Sequence, residues 1–179
     1  MRPPDASPAS PRTRPRHVVL AMLAATVASG PFLVVAPTSV VSTWAHEAAA
    51  FTPGLTVRTV TESRSRRGGS LAEVAEGADL VITSYTLYRL EADDYVAREW
   101  GGLVLDEAQM VKNHQGKTYQ AVRRVEAPFS LAITGTPLEN SLTELWALLS
   151  LTAPGLFPSA RRFREQYVQP IELGRRRRG

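Results

Sequence analysis

LVLDEAQMVKNHQGKT, residues 103–118, joins an apolar run to an acidic pair and, ten residues beyond Asp106, to a Gly-Lys-Thr. The run GLVL before Asp106 is continuous rather than alternating, which is the pattern of a parallel strand covered on both faces by crossover helices. FLVVA (32–36) and DLVIT (79–83) have the same character, and LTVRTV (55–60) and FSLAIT (129–134) supply two further strands. Helical periodicity lies between them, in HVVLAMLAATVAS (17–29), VVSTWAHEAAAF (40–51), LAEVAEG (71–77), pieces up to Trp100, KTYQAVRRV (117–125) and SLTELWALLSL (141–151). SRSRRGGS (63–70) reads as a loop. Strands alternating with helices specify an α/β layered parallel sheet. Ligands of such sheets bind beyond the carboxyl ends of the strands, where this sequence concentrates APTS, TSY, DEAQ and TGTP.

The bulk composition narrows the function classes. A chain of 179 residues, 44% hydrophobic and 21% charged, supports one globular domain with a sizeable core. The absence of cysteine excludes disulfides and thiolate metal clusters. The longest apolar stretch, HVVLAMLAATVASGPFLVVA, is divided by Gly30 and Pro31 into a helical and a strand-like half, so it does not read as a membrane span. A signal peptide competes for that stretch, but its apolar character continues past any cleavage point, and the expected setting is cytoplasmic with no membrane partner. The net charge of +4 lies at the ends. Residues 1–17 carry +3 and residues 174–179 carry +4, which leaves −3 for the residues between. The segments 1–17 and 174–179 therefore read as disordered Pro/Arg-rich and Arg-rich tails around a domain at 18–173.

Asp106 and Glu107 follow a predicted strand. One carboxylate there can hold magnesium through water while its neighbour activates the water that attacks a terminal phosphate. An acidic turn after a buried strand explains the pair equally well. Pro37, Thr38 and Ser39 stand between strand and helix, where hydroxyls and helix N-terminal amides can hold a backbone phosphate or simply cap the helix. Thr83, Ser84 and Tyr85 repeat that arrangement. Thr134 and Thr136 flank Gly135 at the next strand end, positioned to hydrogen-bond to the acidic strand end. Trp44 and Phe51 read as core residues on the inner face of their helix.

LVVAPTSVVSTWAHE, ITSY, LVLDEAQMVKN, LAITGTPLENSLTELWALLSL and the following APGLFPS resemble, in order and spacing, the first RecA-like lobe of Swi/Snf-type helicase-related ATPases, over about residues 19–172. The resemblance implies a RecA-like (P-loop NTPase) fold, a parallel sheet with helices on both faces, incomplete at its N-terminus. It implies ATP and magnesium as cofactors, with Asp106 supporting the ion through water, Glu107 activating water and Gln109 lining the nucleotide site. Thr134, Gly135 and Thr136 match the motif that couples the site to the second lobe. Pro37, Thr38, Ser39, Thr83, Ser84 and Tyr85 match contacts to the DNA backbone. The implied partners are double-stranded DNA and a second RecA-like lobe, here on another chain.

The phosphate cradle breaks the pattern. A glycine-rich loop ending at Gly116-Lys117-Thr118 needs a glycine where Val111 stands, and a strand before it. That triplet reads instead as the start of a helix. In the family the loop precedes the helix VVLAMLAATVAS, but PRTRPRH occupies that place and no glycine occurs before Gly30. The expectation is a truncated or frame-disrupted lobe that is weakly active or inactive alone, with unpaired sheet edges. The alternative is a non-catalytic nucleic-acid or partner-binding fragment. Translating the encoding DNA upstream in the other two frames tests the first expectation: a glycine-rich GKT loop should appear there, and its absence counts against frame disruption.

Overall fold

The computed structural model describes residues 15–26, 30–135 and 142–171. Their elements are, in order, α1 (Pro15–Thr26), β1 (Phe32–Ala36), α2 (Thr38–Phe51), β2 (Val57–Val60), α3 (Arg64–Arg67), α4 (Leu71–Val74), β3 (Leu80–Ser84), α5 (Tyr85–Leu90), α6 (Ala92–Val96), β4 (Gly102–Leu105), α7 (Lys117–Val122), β5 (Ser130–Ala132), α8 (Leu142–Thr152) and α9 (Ala160–Phe163). A 3-10 turn, Ala108–Val111, follows β4, and a π turn, Arg164–Val168, follows α9.

The five strands form one sheet in the order β2-β3-β1-β4-β5, with every neighbouring pair parallel. All residues of β1, β3 and β4 are buried. Side chains alternate across a strand, so each continuous apolar run serves two cores at once. Val34, Ile82 and Val104 share a level of the sheet and pack on one face with Leu20 and Leu23 of α1 and Trp44 and Ala48 of α2. Leu33, Val35, Val81, Leu103 and Leu105 face the other way, toward Tyr85, Tyr88, Tyr119, Trp146 and Leu151. The two apolar faces explain why these runs lack the polar alternation of a half-exposed strand.

The edge strands are different. β2 exposes Arg58 and Thr59, and β5 is only half-buried. Leu103 donates its N–H to Phe129 O and Ile133 donates to Leu105 O. Since backbone groups alternate in direction along a strand, those of Ser130 and Ala132 point away from β4.

Three expectations change. α1 opens at Pro15, where proline's missing N–H costs nothing, so Arg16 belongs to the fold and not to the N-terminal tail. Ser63 to Gly68 is not simply a loop, because Arg64–Arg67 makes a helical turn closed by Gly68 at φ 71°. Phe51 is 57% exposed and lies against the ring of His17 at 3.9 Å, whereas Trp44 is fully buried as expected. Phe51 sits at the last residue of α2, where the helix has run past the edge of the core.

Gly102 is a close approach that only glycine allows. A Cβ there would lie 2.6 Å from Cε1 of Phe32, its partner across β1 and β4. Gly102→Ala is therefore expected to destabilise the fold by about 1–3 kcal/mol through overpacking. Leu33→Ala, at a fully buried position, should cost about 2–5 kcal/mol. Val18→Ala, at an exposed one, should stay within about 0.5 kcal/mol. Urea unfolding midpoints at constant m check all three.

Candidate active site

β3, β1, β4 and β5 are neighbours, so the sheet brings the four polar strand ends onto one edge. Asp106 lies directly after β4 and is 2% exposed. Its backbone N–H donates to Val35 O at 2.9 Å, and Ile133 O accepts from Ala108 N–H at 2.8 Å, so the segment is tied to β1 and to the end of β5. Both oxygens of the carboxylate are engaged in the fold. Oδ2 accepts from the Trp44 indole N–H at 2.8 Å and from Arg16 Nε at 2.9 Å, and Oδ1 accepts from the Glu107 N–H at 3.0 Å. The Arg16 guanidinium lies 5.9 Å from the Trp44 ring centroid, within cation–π range.

Glu107 has φ 48°, the left-handed region that residues with a Cβ seldom enter. Such a conformation persists only where the surroundings hold it, and here the bonds on either side do so. Its carboxylate accepts from Gln109 Nε2 at 2.5 Å, and Gln109 Oε1 accepts from the Thr134 hydroxyl at 2.9 Å. The threonine after β5 thus reaches the acidic strand end through Gln109. Gly135 is exposed beside it, and Thr136 lies outside the described residues.

The other candidates divide into two groups. Pro37 is the N-cap of α2 and no side chain caps that helix, while Thr38 and Ser39 in its first turn are exposed. Ordinary capping therefore does not account for their hydroxyls. Thr83, Ser84 and Tyr85 are buried and committed internally. The Thr83 hydroxyl donates to Val60 O and accepts from Tyr95, the Ser84 hydroxyl caps α5 through Leu87 N–H, and the Tyr85 hydroxyl donates to Asp106 O at 2.9 Å. Burial, reinforced by the charges of Asp106 and Glu107, pushes the Tyr85 hydroxyl far above its ordinary pKa, so it remains a neutral donor. Burial likewise pushes Tyr95 up to about 12. Gly116 caps α7 and Lys117 is that helix's first residue, so the Gly-Lys-Thr is a helix start.

Sequence reasoning missed Arg16 and the second role of Trp44. A buried indole N–H needs an acceptor, which is a signal in the sequence. Nothing in the sequence says that Asp106, 62 residues away, provides it.

Magnesium at Asp106 does not fit this arrangement. Three N–H donors already occupy the carboxylate, one of them on a fixed positive charge, and the neighbouring Glu107 carboxylate is turned to Gln109. Among the described residues no group of three or more His, Asp or Glu side chains is placed to hold a metal. No helix there is long and apolar enough to cross a membrane.

Comparison with known proteins agrees with the fold. The chain matches the SNF2-related domain over residues 12–178. It is 38% identical over 145 residues to YwqA of Bacillus subtilis (strain 168), covering 81% of this chain and 16% of that protein. ISW2, the ISWI chromatin-remodeling complex ATPase of Saccharomyces cerevisiae, is 34% identical over 142 residues, covering 78% of this chain and 13% of that protein. The solved Sulfolobus solfataricus SWI2/SNF2 ATPase core in complex with dsDNA aligns with a TM-score of 0.74 and 31% identity, over 87% of this chain and 32% of that one. The chain spans less than a fifth of the length of these two curated relatives. Its RecA-like parallel sheet, its strand-end motifs and the match over residues 12–178 together make it a member of the SNF2-related (Swi/Snf) family of helicase-like ATPases.

Proposed function

We propose that this chain is the nucleotide-side lobe of an ATP-driven translocase on duplex DNA, and that the polypeptide as it stands does not complete the hydrolytic cycle. The observation that carries the reading is the relay Thr134–Gln109–Glu107 beside Asp106, on the sheet edge where α/β proteins bind ligands. Glu107 is the residue to orient and deprotonate the attacking water, because its carboxylate is half-exposed while that of Asp106 is buried. Gln109 and Thr134 position that carboxylate. A change at the β5 end, where a second lobe would read the nucleotide state, reaches Glu107 through two hydrogen bonds.

Thr38 and Ser39 are the residues on this edge best suited to touch a DNA phosphate, since they are exposed in the first turn of the 14-residue α2. Thr83, Ser84 and Tyr85 act in this reading by shaping the edge, because their hydroxyls are spent inside the fold. Magnesium-ATP is the cofactor that such a motor uses, and the part of the machinery these residues lack is a glycine-rich cradle before α1. A second reading, a non-catalytic nucleic-acid-binding fragment, draws support from the Arg16–Asp106 ion pair, which occupies a carboxylate that hydrolysis would need.

DNA-stimulated ATP hydrolysis by this polypeptide tests the proposal. Turnover is expected to be weak or absent, and robust turnover abolished by Glu107→Gln would overturn the proposal that this polypeptide does not complete the hydrolytic cycle. Duplex binding, followed by fluorescence anisotropy, is expected to weaken with salt by a log–log slope of about −0.9 per phosphate contacted. It should weaken further in the Thr38→Ala/Ser39→Ala double variant, and no binding at low salt would remove DNA from the proposal. Full duplex binding by Asp106→Ala with no response to ATP would favour the non-catalytic reading.

A further inference from the structure

We propose that Arg16 supplies at Asp106 the positive charge that a divalent cation would otherwise supply, and thereby closes this carboxylate to metal. The inference rests on the ATPase-lobe reading only for the expectation that a metal belongs there. The pairing itself stands on the geometry of α1, α2 and β4.

Arg16 is the second residue of α1, a position where the helix macrodipole disfavours a cation. It is nonetheless drawn inward, with 19% of its side chain exposed, onto a carboxylate whose side chain is 3% exposed. A buried carboxylate needs both a counter-charge and hydrogen-bond donors to remain folded inside. Arg16 Nε, at 2.9 Å from Oδ2, provides charge and donor together, and the Trp44 indole and the Glu107 N–H supply the remaining two donors. An ionised carboxylate offers about four lone-pair directions, so three are filled, and the last, on Oδ1, belongs to a group whose other oxygen is paired with a guanidinium that does not deprotonate in proteins.

A magnesium or manganese ion approaching that last direction meets a carboxylate whose charge is already paired, with the like charge of Arg16 on its other oxygen. It would also need further oxygen ligands. Glu107, the nearest carboxylate in sequence, is turned to Gln109 at 2.5 Å. The charge demand of Asp106 is therefore met by the chain itself, and Arg16 doubles as the tie that fixes the start of α1 to the end of β4.

Paramagnetic manganese tests this without nucleotide or DNA. A failure here is therefore distinct from a failure of the ATPase reading, which would appear in hydrolysis and duplex binding. The readout is the Nε1–H resonance of Trp44 in the 1H–15N spectrum of the whole chain titrated with MnCl2. The indole N–H of Trp44 touches Asp106, whereas those of Trp100 and Trp146 donate to Tyr95 O and Phe157 O and serve as internal references.

In the wild type, Trp44 is expected to broaden no more than the two references. In Arg16→Gln it should broaden selectively, with apparent manganese affinity raised about tenfold or more by removal of the like charge, and the effect should vanish in Arg16→Gln/Asp106→Asn. Selective broadening of Trp44 in the wild type overturns the proposal, as does an Arg16→Gln protein that folds but leaves Trp44 unaffected. Should Arg16→Gln not fold, the wild-type titration decides alone: selective broadening overturns the proposal, and its absence supports it.

Discussion

β1 is hydrogen-bonded along both edges, to β3 and β4, and covered on both faces, and the remaining elements are arranged around that requirement. A strand in this position exposes none of its five residues, so its apolar side chains fill two cores and its buried backbone groups need partners. α1 and α2 cover one face, while α5, α7 and α8 contribute to the cover on the other. Because the strands are parallel, their carboxyl ends share one edge of the sheet. The polar residues that follow β1 and β4, with Thr83 and Ser84 at the end of β3, are delivered there together.

That edge is held by a small number of buried polar bonds rather than by packing. Asp106 connects three elements: α1 through Arg16, α2 through Trp44 and the start of α5 through the Tyr85 hydroxyl, which donates to its backbone O. Its neighbour Glu107 is turned outward by a left-handed backbone and faces Gln109. Two adjacent carboxylates thus have different surroundings, one locked into the fold by donors and counter-charge, the other half-exposed and adjustable. The division of roles proposed for them rests on that difference in solvation and bonding.

Much of the architecture was legible in the sequence. GLVL, FLVVA and DLVIT are continuous apolar runs because they feed two cores, and that pattern alone specified central parallel strands. β2 and β5 were legible as strands but not as edges, since their position depends on which strands pair across long separations in the chain. Phe51 falls on the inner face by periodicity yet is exposed, because helical periodicity locates a face but not the point at which the helix leaves the core. The turn at Arg64–Arg67 leaves no trace in the sequence pattern because its residues have no apolar face to announce it. The hydroxyls of Thr83, Ser84 and Tyr85 look like ligand contacts in the sequence, yet their neighbours across the sheet consume them.

The sequence by itself determined the parallel α/β sheet, the identity of the strand-end motifs and their order, because burial on two faces and strand-end polarity leave a local imprint on residue type. Only the tertiary structure decided what each motif residue touches. Arg16 reads as part of a basic tail until α1 carries it to Asp106, 90 residues later in the chain. Thr134 and Glu107 become connected only when β5 is laid beside β4. Contacts of that kind follow from the packing of the whole sheet, and a local stretch of sequence carries no record of them.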